Sequence, residues 1–393
     1  VKIGMTFRAY PSDRQKRHLA KEFGCARHAY NFALKLRTDS FKEGKPINYN
    51  ASDKAWTKHR NINEFAFLLE CSSTVQQQSL RHLQTAFSNF FAKRTKYPRF
   101  HSKHGKQAAS YTRSGFRWDS TNKNLSIAKI GRLKVKWSRS FTSTPTTVTI
   151  TKDCGGKYFV TVCLDEPVKT ALPQTGSKVG VDLGISRLAT LSNGERIANP
   201  KHTARFAVQL GRQQRILSRR VKGSKRWEAQ RLRVAKVHAR IASCRKDWLN
   251  KVTTDLIRRF DVIAIEDLNV HGMVKNRHLA KAISCASFGM FRQMLTYKCE
   301  WYGRELRVAD RFFPSSKRCS ACGHTHAKMP LNIREFDCEV CGQHHDRDEN
   351  AAVNILAAGQ AVTGRGGHVS PLRASARNGK ALRSVNQPGS ANV

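Results

Sequence analysis

Apolar positions return with different periods along the chain, and those periods divide it. Residues 1–10 read as a strand, and Pro11-Ser12-Asp13 then supplies a turn and a helix cap. From about 14 to 38, Leu19, Phe23, Ala26, Tyr30 and Leu34 recur at helical spacing. A second helix is predicted over about 72 to 93, with Leu80, Leu83, Phe87 and Phe91 along one face. The polar stretch 40–70 between them reads as loop with a short helix. Leu125–Ile127, Arg132–Val135, Thr147–Thr151 and Tyr158–Leu164 read as strands separated by turns such as Cys154-Gly155-Gly156. With residues 1–10 they predict one antiparallel barrel or sandwich, interrupted by the helices.

Asp165 to Ser177 carries Pro167, Pro173 and Gly176 and reads as a linker. Beyond it strands and helices mix, as in an α/β domain. Lys178–Leu183, Leu188–Leu191 and Arg196–Ile197 predict a three-stranded meander. Residues 201–259 predict two helices joined near Lys222–Lys225, and Asp261–Glu266 is a buried strand. A helix over 286–303, a strand over Leu306–Ala309, a Cys-rich insert over 315–345 and a last helix over 347–358 follow. From Gly359 onward, Gly, Ser, Arg, Asn and Pro predict disorder.

Charge sharpens this picture. The chain has 393 residues, with 71 Lys+Arg against 28 Asp+Glu, a formal net charge of +43. Self-repulsion on that scale calls for a polyanion, and nucleic acid fits because each neutralised phosphate releases counterions. A membrane surface would favour basic clusters beside apolar anchors, whereas these cations run through the whole chain. No stretch approaches a membrane span, and no long apolar leader opens the sequence. The eleven cysteines therefore point away from secretion and disulfides.

Three acidic positions share a placement. Lys178–Asp182 is an apolar strand that delivers Asp182 at its end, before a sharp turn at Gly184. Val262–Glu266 is a second, with Glu266 at its end and Asp267 as a competitor. Asp348 lies in the first turn of the last helix, where Asp346 can act as the cap. Singly, each has a structural alternative: a turn Asp, an arginine partner, a dipole-facing acid. Together, in a chain with only 28 acids, they can converge on two hard divalent cations, Mg²⁺ or Mn²⁺, for phosphodiester hydrolysis.

The strongest local signal is Cys319-x-x-Cys322 and Cys338-x-x-Cys341, with fifteen residues between the pairs. Two such knuckles predict a four-cysteine zinc ribbon whose closed coordination makes the metal structural. His324, His326, His344 and His345 lie nearby but are not needed as ligands. The other seven cysteines read as small buried apolar residues. From Lys201 to Asp247 there are fifteen Lys+Arg and two acids, which suits a phosphate-tracking surface. Residues 94–118 interleave cations with Tyr97, Phe100, Tyr111, Phe116 and Trp118. That mixture suits stacking on unpaired bases, with Trp118 better read as core.

These segments resemble the transposon-encoded TnpB (OrfB) family, related to type V CRISPR effector nucleases, over roughly residues 1–358. VGVDLGISRLATLSNG resembles the family's first RuvC motif and IAIEDLNVHGM its second. FFPSSKRCSACG with DCEVCGQHHDRDENAAVNIL is similar to its zinc ribbon and third motif. LQTAFSNFFAKRTKYPRFHSK looks like its helical module. The segment at Arg245–Lys251 departs from the family's Phe and His pattern without touching an acid. The resemblance implies an RNA-guided DNA endonuclease with Asp182, Glu266 and Asp348 as catalytic, metal-holding acids. It implies a guide RNA from the transposon end, a double-stranded DNA target, and a short adjacent motif read by the N-terminal half. Thr74, Gln77 and Arg81, with Tyr97 and Arg99, fall where nucleic-acid contacts are expected.

The implied architecture is multidomain, mixing α/β and β. A wedge-like β-barrel covers 1–13 and 94–170, with a helical recognition module inserted at 14–93. An RNase H-like (RuvC) domain covers 177–314 and 346–358, with the zinc ribbon at 315–345 and a tail at 359–393. The implied assembly is a monomer with its RNA, in a prokaryotic cytosol or nucleoid. Two other readings fit some of the same residues. One is a RuvC nuclease acting on branched DNA without RNA; the other is a zinc-ribbon regulator with an idle nuclease fold.

Overall fold

The computed structural model describes residues 2–165, 171–330 and 332–364. The chain divides into two compact units, 1–168 with 205–243, and 169–204 with 244–393.

In the first unit, strand β1 (Lys2–Ala9) leads into helix α1 (Asp13–Lys42). Ser12 caps α1 in a reciprocal capping box with Gln15, as the Pro-Ser-Asp sequence predicts. Helices α2 (Tyr49–Arg60) and α3 (Ser73–Phe91) follow, with a 3₁₀ segment over Asn63–Glu70 between them. Residues 40–70 are thus mostly helical rather than loop. Their apolar anchors are few, but Trp56 and Leu68 are fully buried beside Tyr30, Leu34, Leu80 and Leu83. That burial orders a segment that still leaves Phe41, Ile62, Phe67 and Leu69 exposed.

The remaining strands of this unit are β2 (Gln107–Thr112), β3 (Phe116–Asp119), β4 (Asn124–Ile127), β5 (Gly131–Leu133), β6 (Val135–Lys136), β7 (Thr147–Lys152) and β8 (Tyr158–Asp165). They form an open five-stranded sheet, β2-β7-β8-β1-β6, and a three-stranded sheet, β3-β4-β5. Among the described residues the pairing does not close into the expected barrel. Both sheets nonetheless share one core, where Phe7, Val148, Val160 and Val162 meet Phe116, Leu125 and Ile127. Tyr111 and Phe116 are buried in that core, and Trp118 packs on it beside Trp137 and Phe141. Of the aromatic–basic segment, Tyr97 and Phe100 therefore remain exposed.

Glu22 of α1 is fully buried and accepts from the Ser72 amide at 2.9 Å. Burial raises its pKa from 4.5 to about 7, although the Ser72 amide and Lys129 pull the other way. The folded chain therefore holds a proton between those values that the unfolded chain releases. This group favours the fold most at acid pH and least above 7. Glu22→Gln is expected to raise the melting temperature at pH 8 and leave it little changed at pH 5. Melts at the two pH values that show equal effects would contradict this.

In the second unit, β9 (Lys178–Leu183), β10 (Arg187–Leu191) and β11 (Arg196–Ala198) form the predicted antiparallel meander. The short helix α4 (His202–Arg205) follows, then α5 (Ala207–Ser218) in the first unit and α6 (Lys225–Arg259), which belongs to the first unit up to Ser243. Strand β12 (Val262–Glu266), helices α7 (Val270–Met273), α8 (Ala280–Ala286) and α9 (Phe288–Tyr302), and strand β13 (Glu305–Ala309) come next. The sheet order is β11-β10-β9-β12-β13, with β12 parallel to both neighbours. Its core joins Val179, Val181, Ile263 and Ile265 to Leu249, Leu256, Phe291 and Leu295. The hairpin β14 (Glu335–Asp337) and β15 (His344–Asp346) precedes helix α10 (Arg347–Gly364). Residues 359–364, expected to be disordered, extend this helix, and the rest of the expected tail lies outside the described residues.

Helix α10 lies directly on the backbone of β9. A Cβ placed on Gly180 would sit 2.0 Å from the Ala352 carbonyl oxygen and 2.8 Å from the Leu356 amide nitrogen. Both are backbone atoms of α10, which leaves nothing to rotate away. Gly180→Ala is expected to cost about 3 kcal/mol or more, the upper range for overpacking. Denaturant unfolding of the second unit measures this, and a loss under about 1 kcal/mol would show that α10 can lift off freely.

Candidate active site and thiolate cluster

Parallel pairing sets the first two carboxylates side by side. Val181 pairs with Ile265 across β9 and β12, so the next residues, Asp182 and Glu266, emerge at the same end of adjacent strands. Gly184 then turns the chain through a hydrogen bond to the Leu188 carbonyl. Asp348 arrives from α10. Asp346 caps that helix, accepting from the Asp348 and Glu349 amides at 3.0 Å each. Asp346 is also held by Arg196 at 2.7 Å, and the charge of Asp348 reaches Asp182.

Asp182 senses the other two acids. The Asp182 pKa rises from 3.8 to about 7, through burial first and then the charges of Glu266 and Asp348. Arg347 and the Leu183 amide offset only part of this. Crowded carboxylates of this kind want a cation. A donor set made only of carboxylate oxygens fits a hard divalent ion.

Asp267, the sequence competitor of Glu266, is committed elsewhere. It pairs with Arg292 and, at 2.6 Å, with Arg311. Hydrogen bonding to Arg292 is the main cause of its lowered pKa. Glu266 instead accepts a hydrogen bond from Ser315 Oγ. A cavity of about 350 Å³ opens beside these groups, lined by Glu266, Asp267, Asn269, Phe288 and Arg292.

Two residues that sequence reasoning passed over also reach the carboxylates. One is Ser315. The other is Arg334, whose guanidinium lies 3.4 Å from Asp348 Oδ1. Nothing local marks Arg334 among so many arginines; a position just before a strand of the hairpin is no signal of its own. Arg347 anchors the same stretch of chain, donating to the Pro330 carbonyl at 2.6 Å.

The cysteine ribbon folds as two matching knuckles. The Cys319 amide donates to His324 O and the Cys338 amide to Gln343 O, at 2.7 and 3.0 Å. Gly323 and Gly342 follow with φ of +81° and +69°, a conformation open to glycine. The sulfurs of Cys319, Cys322, Cys338 and Cys341 all lie within 4.8 Å of one another. Backbone amides of Cys341 and Val340 lower the Cys338 pKa to about 6, which favours the thiolate. This closed sulfur set fits a tetrahedral zinc ion. His345 Nε2 approaches Cys319 Sγ at 3.1 Å, while His324 and His326 turn to Glu339.

The other expected positions sort by exposure. Gln77 and Arg81 are exposed and Thr74 half-buried, three to four residues apart along one face of α3. Arg99 is exposed. The Tyr97 hydroxyl bonds Thr38 Oγ1 at 2.8 Å, and its ring meets Phe87 edge-on. Phe87 lies roughly 20 Å along α3 from Thr74, so these five residues do not form one cluster. Of the seven cysteines outside the ribbon, Cys25, Cys71 and Cys299 are buried as expected, but Cys154 is exposed. Among the described residues no helix is long and apolar enough to cross a membrane.

A group of carboxylates on a mixed α/β sheet and a four-cysteine cluster, in so basic a chain, fit a metal-dependent nuclease. The comparisons narrow the class. Family profiles described as "Probable transposase" (OrfB), "Cas12f1-like, TNB domain" and "Helix-turn-helix domain" match residues 161–277, 288–355 and 1–46. A "Putative RNA-guided DNA endonuclease" of Streptomyces pristinaespiralis is 48% identical over 97% of this chain and 95% of its own length. "Putative RNA-guided DNA endonuclease InsQ" of Escherichia coli is 32% identical over 91% of this chain and 92% of its own. The solved Cas12f1–sgRNA–target DNA complex shares the fold, with a TM-score of 0.58 at 13% identity over 91% of this chain and 98% of that one. The chain belongs to the transposon-encoded OrfB (TnpB) family.

Proposed function

We propose that this chain is an RNA-guided DNA endonuclease that hydrolyses phosphodiester bonds in target DNA next to a short adjacent motif. The observation that carries the chemistry is that Asp182 and Glu266 end adjacent parallel strands, and that the charges of Glu266 and Asp348 both oppose the ionisation of Asp182. The names borne by its full-length relatives support the guide RNA and the DNA substrate. In this reading the β9–β13 sheet with α10 is an RNase H-like (RuvC) domain over 177–314 and 346–358, and 315–345 is its zinc ribbon. The wedge-like β part covers 1–13 and 94–170, and the helical recognition module 14–93.

Two Mg²⁺ or Mn²⁺ ions would be held by the three acids, with Asp182 shared and Glu266 and Asp348 serving one each. When bound, they supply Lewis acidity at the attacking and leaving oxygens. The protein's own part is to bring the three carboxylates to one end of the sheet and to keep Asp267 out of the way on two arginines. Arg334 adds a fixed positive charge next to Asp348, where a scissile phosphate would lie. Gln77 and Arg81 on α3, with Thr74, Tyr97 and Arg99, are proposed nucleic-acid contacts. The fifteen cations of 201–247 would track phosphates, and the complex would be one chain with one RNA in a prokaryotic cytosol.

The test is to purify the chain from cells expressing the DNA that flanks its gene, sequence the RNA bound to it, and assay cutting with Mg²⁺. The expected result is one RNA ending in a guide, and cutting only of duplex matched to that guide. Cutting of branched DNA by RNA-free protein would replace this function with the resolvase reading. Binding without any cutting would leave a regulator.

A further inference from the structure

We infer that Ser315 is a positioning residue for Glu266, and that helix α10 sets its place through two buried asparagines. This rests on the proposed role of Glu266. Ser315 is 5% exposed and lies in the turn between β13 and the first cysteine knuckle. The Lys317 and Arg318 amides both donate to Pro314 O at 3.0 Å, which closes that turn. Ser315 Oγ points out of it and donates to Glu266 Oε1. One carboxylate oxygen is thereby occupied and the side-chain torsions restricted, with Oε2 left for a cation.

The turn itself is clamped from α10. Asn354 Nδ2 donates to Ser315 O at 2.9 Å and to Arg318 O at 2.6 Å. Asn350, one helical turn earlier, donates to Arg318 O at 2.7 Å and accepts from the Ser320 amide at 2.8 Å. Asn350 and Asn354 are 2% and 4% exposed. Buried amides on a helix face shared with Ala351, Ala352 and Ile355 would be costly without partners. Here each is matched to loop backbone, an arrangement that fixes one geometry.

The consequence is that α10 is the common reference for all three acids. It carries Asp348 itself. It lies against the backbone of β9 at Gly180, two residues before Asp182. Through Asn354 and Ser315 it also reaches Glu266, which belongs to another strand. Groups that orient metal-holding side chains typically matter 10–100-fold for metal affinity or activity.

The test uses the full chain with its RNA. Cutting rate is measured against Mg²⁺ concentration for wild type, Ser315→Ala, Ser315→Thr and Glu266→Ala, with melting temperature and zinc content for each. Ser315→Ala is expected to keep its zinc and its melting temperature but to need about 10–100-fold more Mg²⁺ for half-maximal cutting. Ser315→Thr, which keeps the hydroxyl, should recover most of that loss. A wild-type Mg²⁺ dependence in Ser315→Ala, beside an inactive Glu266→Ala, overturns the inference alone. So does a loss of cutting matched by lost zinc or a lowered melting temperature, which would make Ser315 merely structural. A fully active Glu266→Ala instead overturns the assignment of Glu266, and the inference with it.

Discussion

Asp182→Ala is expected to abolish DNA cutting, by more than about 10³-fold or roughly 4 kcal/mol of barrier, while RNA and target binding persist. The direction follows from the site. Asp182 is the carboxylate whose ionisation both other acids oppose. It is therefore the one whose charge most needs a cation and the one most able to hold it in place. Binding should survive because the proposed binding surfaces draw on the cations of both units, and one acid removed from the cleft only reduces local repulsion. Asp182→Asn sharpens the test. It keeps the shape, deletes the charge, and should be no less stable than wild type at pH 8, since a carboxyl raised to about 7 disfavours the fold when ionised. Gel-shift and single-turnover cleavage on the same preparation separate the two effects. Loss of binding together with cutting would remove Asp182 from the catalytic role, and wild-type cutting would do so more simply.

What could be read from the sequence was what local pattern encodes. Asp182 and Glu266 end apolar runs, and a parallel pairing register does the rest. The cap at Asp346 was legible because capping is local. The choice between Glu266 and Asp267 was not. It depends on Arg292 and Arg311, which lie 25 and 44 positions away and are folded back onto Asp267. Ser315 and Arg334 escaped for the same reason, since neither residue type nor spacing tells where a loop will return. The helical extent of 40–70, read as loop with one short helix, was underestimated because isolated anchors, Trp56 and Leu68, bury it without a periodic stripe. The strands could be read as barrel or sandwich but not decided between them, because strand patterns show which faces are buried, whereas closure depends on how the two end strands pair.

Loss of zinc should reach the active site through the same contacts, and Cys338→Ser is the sharpest way to show it. The ribbon has almost no core of its own. Of its residues from 319 to 345, Cys319, Cys338 and His326 are buried among those described. A segment so poor in apolar burial depends on its metal for folding free energy. If the knuckle around Cys319 loosens, Arg318 O and the Ser320 amide leave Asn350 and Asn354, and the first turns of α10 lose their polar partners. Cys338→Ser is therefore expected to bind less than one zinc per chain and to lose hydrogen-exchange protection over 315–354. Cutting should fall by at least about 100-fold, more than one buried hydrogen bond represents, because Asp348 and the Ser315 turn move together. Protection over residues 2–165 should not change, because those residues belong to the other unit. A soluble, zinc-free Cys338→Ser protein that cuts at the wild-type rate would break the link from ribbon to helix to carboxylate. It would leave the cluster as a separate appendage.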